Sequence, residues 1–205
     1  MRTEARAHDL RRGLALEYFS VAWNIAEAGV GIAAGVAAGS VALVGFGLDS
    51  VVEASSASII VWRLVSERRG RHAEALERPA IRAVAIAFWA LAAYVGTKAT
   101  IDLVSATRPD ESLAGIILAS VSLIGMPLLA RAKRRASKRL GSHAMHADAR
   151  QTLLCTYLSA ALLVGLLANA VLGWWWADPV SALVIAAVAA REGYQLWTTE
   201  DPDCC

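Results

Sequence analysis

A transmembrane helix needs about 20 consecutive, mostly apolar residues. Six stretches of this chain meet that length, at about 14–37, 40–65, 80–103, 112–131, 148–172 and 176–197. The chain has 205 residues, is 57% hydrophobic and has a mean hydropathy of +0.47. Soluble domains rarely reach such values. The fold class that follows is all-α: a polytopic membrane protein with six transmembrane helices. Residues 1–13 form a polar cytoplasmic segment, 14–197 the six-helix transmembrane domain, and 198–205 a short polar tail. No cleavable signal peptide is expected, because the first apolar run is too long and lacks a cleavage site.

The distribution of charge sets the expected orientation. Arg2, Arg6, Arg11 and Arg12 precede the first stretch. Arg63, Arg68, Arg69, Arg71, Arg78 and Arg82 flank the connection between the second and third. Arg131, Lys133, Arg134, Arg135, Lys138 and Arg139 fill the connection between the fourth and fifth. The opposite connections hold only Arg108. The positive-inside rule then places both termini in the cytoplasm. The basic run at 131–139 is read as a topology signal and not as a nucleic-acid surface. Arg outnumbers Lys, which suits a bacterial protein of the inner membrane. Three cysteines are too few for a disulfide framework, and Cys204 and Cys205 fall on the reducing side.

Two acids stand inside the second stretch. Asp49 and Glu53 are four residues apart, so they share one face of a helix. Charged side chains at that depth are costly and mark function by default. A second copy of the pattern lies 102 residues on. Gly39-Ser40 maps on Gly141-Ser142, Asp49 on Gln151, Ser50 on Thr152 and Glu53 on Cys155. With three spans in each half, the copies would run in opposite directions, a 3+3 inverted repeat that places a substrate site between the halves. Two Ala/Leu-rich helices could also align this way by chance. If the second and fifth helices face each other, Asp49, Glu53, Gln151 and Cys155 form a four-donor cage. Carboxylate oxygen and thiolate sulfur suit a tetrahedral divalent ion such as Zn²⁺. Metal arrival must expel a proton from Cys155, and protons can displace the metal in turn. That chemistry is a basis for proton/metal exchange.

Other polar groups are placed around this cage. Asp148 shares the face of Gln151 and Cys155 and could support the ligands or line an entry path. Glu17, Asn24 and Glu27 occupy roughly one face of the first helix, with Asn24 and Glu27 near the site or on a polar access path. His143 and His146 are placed at the cytoplasmic mouth, where metal capture and plain solvent exposure are both open. Cys155 could instead be a small buried hydrophobe, and Gln151 a hydrogen bond between helices. Gly31, Gly35 and Gly39 repeat at four-residue spacing as a close-packing surface. Lys98 and Asp102 can pair. Trp174, Trp175 and Trp176 form an interfacial belt. Asp178-Pro179 reads as an N-cap followed by the first helical residue.

The stretch Gly39 to Glu53, the stretch Ala147 to Cys155 and the Asp178-Pro179 pair together resemble the cation diffusion facilitator family over about residues 20–195. The resemblance implies a six-helix carrier that exports Zn²⁺ or a related ion by proton antiport, commonly as a homodimer. It also implies no enzymatic chemistry and no resident cofactor, the metal being cargo. The chain departs from the family where members carry His or Asp and then Asp in the fifth helix and this chain has Gln151 and Cys155. Its second acid on the second helix is Glu53. The family's usual cytoplasmic domain after the sixth helix is not expected here, so a dimer would form through the membrane helices. The alternative is a membrane-embedded metal sensor or accessory protein that binds ions without turnover, which the altered fifth helix favours.

Overall fold

The computed structural model describes residues 2–68 and 74–198, the side chains at 2–7, 67–68, 74–81 and 143–144 excepted. Six helices follow in order: α1 (Arg2–Ala38), α2 (Val41–Arg68), α3 (Glu74–Val104), α4 (Leu113–Leu140), α5 (His143–Leu172) and α6 (Ala177–Thr198). The described residues contain no strand. Among the described residues, five helical segments are long and apolar enough to cross a membrane: His8–Ala38, Val41–Ser66, Arg82–Val104, Leu113–Leu140 and Met145–Leu172. The sixth helix, α6, is about 33 Å long at 1.5 Å per residue. Asp178 near its start and Arg191-Glu192 near its end interrupt its apolar run.

Each apolar stretch falls within one helix to within one residue, and several helices continue beyond it. α3 begins ahead of Pro79, and α4 runs on through the basic segment to Leu140. Hydropathy marks only the part of a helix that meets lipid. Arg, Lys and Ala are good helix formers, so the turns beyond it stay helical.

The helices pack as two hairpins, α1–α2 and α4–α5, with α3 and α6 paired beside them. The α1–α2 contact is close because of small residues. A Cβ on Gly35 would lie 2.7 Å from the Val44 backbone nitrogen, and one on Gly47 would lie 2.7 Å from that of Ile32. Gly31 and Gly35 therefore pack as expected from their spacing. Gly39 does something else: its φ of +66° turns the chain from α1 into α2, a left-handed conformation that glycine adopts without penalty.

The two hairpin turns are built alike. Gly141 has a φ of +63° and ends α4. Ser40 and Ser142 each accept a hydrogen bond from the backbone N–H three residues on, from Leu43 at 3.1 Å and from Met145 at 3.3 Å, the geometry of an N-cap. Their surroundings are opposite. Leu140 and Met145, on either side of the Gly141 turn, join Leu10, Leu14, Ile60 and Leu64 in one apolar cluster. The Gly39 turn sits at the other end, where the Asp110 N–H donates to the Ala38 carbonyl at 2.8 Å and Asn169 Nδ2 donates to the Pro109 carbonyl at 3.1 Å. One hairpin is therefore inverted relative to the other, as three spans in each half require.

Asp178 corrects the expected cap. It lies in the first turn of α6, and its carboxylate serves α2 instead. It accepts from Ser40 Oγ and from the Ala42 N–H at 3.3 Å. The first N–H groups of a helix have no partner inside it, and an anion there is favoured by the helix dipole.

Replacing Gly35 with Ala should lower stability by about 1–3 kcal/mol, because the added methyl meets backbone that cannot move aside. Gly29→Ala is the control, since nothing lies within 4 Å of its Cβ position. Thermal unfolding of the two variants in detergent should show a drop for Gly35→Ala alone.

Candidate metal-cation site

Three helices turn a polar face inward. On α1, Glu17, Ser20, Asn24 and Glu27 are all buried, at the spacing of a single helical stripe. On α2 the buried polar groups are Asp49, Ser50 and Glu53. On α5 they are Asp148, Thr152 and Ser159, with Cys155 between them. The stripes meet where the hairpins pack.

Glu27 holds the upper part of this region together. Its Oε2 accepts from Ser50 Oγ of α2 at 3.0 Å, and its Oε1 accepts from Ser122 Oγ of α4. Asp49, Glu53 and Glu27 lie within electrostatic reach of one another, and all three act on Cys155. Thr152 and Cys155 flank the Glu53 carboxylate. Among the described residues, neither Glu53 oxygen has a hydrogen-bond partner of normal geometry, and neither do the two amide atoms of Asn24. Buried polar atoms are seldom left so, and each such group calls for an explanation. Acids that repel one another inside a protein, with free lone pairs and a thiol beside them, form an environment suited to a cation.

The structure places the other sequence candidates as follows. Gln151 is half-buried and faces a cavity, off the Asp148–Thr152–Cys155 stripe. Thr152, one residue on, takes the position beside Glu53. Asp148 is buried and bound by Lys133, with Nζ 2.5 Å from Oδ2. His146 is half-buried, and its Nδ1 is 3.5 Å from Ser137 Oγ. The His143 side chain and the tail with Cys204 and Cys205 lie outside the described residues. Among the described residues, no three of His, Cys, Asp and Glu are gathered closely enough to hold a metal in this conformation. Asp49, Glu53 and Cys155 are neighbours without forming a closed cage.

The cavity has a volume of about 270 Å³ and lies between the later turns of α2 and α6 and the first turns of α5. Ser56, Asp148, Arg150, Gln151, Arg191 and Glu192 give it a polar lining. Glu192 is within electrostatic reach of Asp49. The cavity belongs to the end of the bundle that carries the arginine-rich segments.

The sequence reading missed Lys133. It was counted among six basic residues of a connecting segment, yet its side chain is fully buried. Its Nζ is 3.0 Å from Glu17 Oε2, and it donates to Ser20 Oγ at 2.8 Å and Thr152 Oγ1 at 3.3 Å. Helical phase carried the signal. Ser122, Met126, Leu129 and Lys133 continue one buried stripe of α4 at steps of four, three and four.

These features define an all-helical membrane protein with acids and a thiol facing one another inside inverted hairpins. The chain belongs to the cation efflux transmembrane domain family, whose model matches residues 18–199. It is also similar to an uncharacterized transporter of Synechocystis sp., 30% identical over 171 residues that cover 80% of this chain and 55% of the relative. The chain thus spans about half the length of that curated relative.

Ser122→Ala would leave a buried Glu27 oxygen without its donor and should cost about 1–3 kcal/mol. Ser120→Ala removes a hydroxyl that bonds only its own helix, to the Ile116 carbonyl, and should be close to neutral. Paired thermal melts would show the difference.

Proposed function

We propose that this protein carries a divalent cation, Zn²⁺ or an ion of similar softness, out of the cytoplasm in exchange for protons. The observation that carries the reading is Glu53: a buried carboxylate with both oxygens unpartnered, flanked by Asp49 and Cys155, in a chain of the cation efflux family. Asp49 and Glu53 supply oxygen and Cys155 supplies sulfur, a donor set suited to Zn²⁺ or Cd²⁺. Gln151 lines the route from the cavity and completes the cage when the hairpins shift. Binding to Cys155 releases its proton, and that release couples metal to protons.

The positive-inside rule orients the carrier. The arginine-rich segments share an end with the cavity, so this conformation opens toward the cytoplasm, with both termini there and the protein in the inner membrane. His143 and His146, in the first turn of α5, would receive the ion on this side. Glu27 and Asn24 support the acids from α1. Two copies pairing through their membrane helices would give a homodimer. The rocking of one hairpin against the other would expose the ion to the far side.

Flux into proteoliposomes tests the proposal, with Zn²⁺, Cd²⁺, Co²⁺ and Mn²⁺ offered with and without a pH gradient. Gradient-stimulated Zn²⁺ or Cd²⁺ flux is expected. Asp49→Ala and Glu53→Ala should each lower it by at least about 100-fold, the upper end of what supporting groups contribute. Cys155→Ser should depress Cd²⁺ flux more than Mn²⁺ flux, because sulfur prefers the softer ion. Folded protein that binds metal without moving it would contradict the carrier reading and favour a metal sensor.

A further inference from the structure

Lys133 lies where α1, α4 and α5 meet and has no exposure to solvent. Its ammonium group touches two carboxylates, Asp148 at 2.5 Å and Glu17 at 3.0 Å, and two hydroxyls, Ser20 and Thr152. Thr152 is also one of the groups that flank Glu53, and Glu53 lies within electrostatic reach of Lys133 itself. A buried ion pair is a poor route to stability, since apolar side chains of the same volume often serve as well. Packing alone therefore does not call for a lysine at this place.

Asp148 connects this cluster to the cavity. One oxygen is held by Lys133, the other accepts from Ser56 Oγ of α2 at 3.4 Å, and the residue lines the cavity wall. An ion passing from the cavity toward Glu53 meets a carboxylate already neutralised by an ammonium.

We propose that Lys133 is a tethered counter-cation of the metal site, occupying the charge that Asp148 and Glu17 would otherwise offer to cargo and so setting how tightly Glu53 and its neighbours hold a divalent ion. The proposal rests on the cation-carrier reading and deepens it. A carrier must release what it binds, and a site with Asp148 and Glu17 unopposed would retain a dication. Lys133 is a positioning residue here: it acts on the ion through Asp148 and Glu53 and makes no bond to it.

The test is Zn²⁺ affinity of the purified full chain, by competition with a chromophoric chelator, together with the KM and kcat of Zn²⁺ flux. Lys133→Met removes the counter-cation and should tighten Kd about tenfold or more, the scale of one nearby unit charge in a partly polar interior. KM and kcat should fall together as release slows. Glu17→Gln/Asp148→Asn leaves Lys133 facing Glu53 and should weaken Kd by a similar factor. Lys133→Met/Asp148→Asn removes a cation and an anion together and should return Kd toward the wild-type value. Opposite signs from the first two variants are what a merely structural cluster cannot produce. If Lys133→Met does not fold, the two double variants keep a contrast of their own: Glu17→Gln/Asp148→Asn should weaken Kd, and Lys133→Met/Asp148→Asn should leave it near the wild-type value. A wild type that binds Zn²⁺ with a Kd unchanged in Lys133→Met and in Glu17→Gln/Asp148→Asn overturns the counter-cation. A wild type that binds neither Zn²⁺ nor Cd²⁺ overturns the carrier reading, and the counter-cation with it.

Discussion

A carboxylate inside a membrane protein must find a partner, because hydrocarbon offers none and desolvation is costly. Among the described residues, four of the seven buried acids find their partner on another helix, and Asp102 finds its own on α3, in Lys98. Glu27 of α1 takes hydroxyls from α2 and α4. Asp178 of α6 caps α2. Asp148 of α5 and Glu17 of α1 share Lys133 of α4. These links join helices within each hairpin and helices far apart in sequence, α1 to α4 and α6 to α2, and together they specify which faces meet. Apolar packing alone would do this poorly, since lipid tails are as apolar as the helix surfaces. The glycine contacts of α1 with α2 then bring the backbones close enough for short serine hydroxyls to reach.

Glu53, with Asp49 one turn before it, is the exception that gives the arrangement its meaning. Its neighbours are placed around it, yet none bonds it in aligned geometry among the described residues. The protein satisfies Glu27, Asp178 and Asp148 and leaves Glu53 available. The contrast between Lys133 and the proposed cargo follows from this. One cation is covalently tied to α4 and serves the acids nearer the arginine-rich end. The other would be mobile and would take the acids beyond them.

The six helices were legible because the apolar runs are long and the chain offers no competing pattern. The inverted hairpins were legible from Gly39-Ser40 and Gly141-Ser142, since a left-handed glycine followed by a capping serine has few other uses. Asp49 and Glu53 stood out because an acid in an apolar run has no ordinary explanation. What sequence concealed was rotation. Whether Gln151 or Thr152 faces Glu53 depends on helical phase to within one residue, about 100°, and on the direction from which α2 approaches. Asp178 was recognised as a cap, but its helix was wrong, because α2 comes close to it only in the folded protein. Lys133 was hidden by its neighbours: among six basic residues, only the continued stripe from Ser122 distinguishes the one that points inward.

The central claim is that a divalent ion sits between α2 and α5 with a sulfur donor from Cys155. X-ray absorption at the zinc edge measures that donor set directly. The protein would be loaded with one equivalent of Zn²⁺ in a Cys204→Ser/Cys205→Ser background, so that Cys155 is the single thiol of the three in the chain. The account predicts one sulfur at about 2.3 Å with oxygen donors at about 2.0–2.2 Å, the sulfur shell vanishing in Cys155→Ser and the whole shell reorganising in Asp49→Ala. A shell of oxygen and nitrogen alone, unchanged by either substitution, would contradict it.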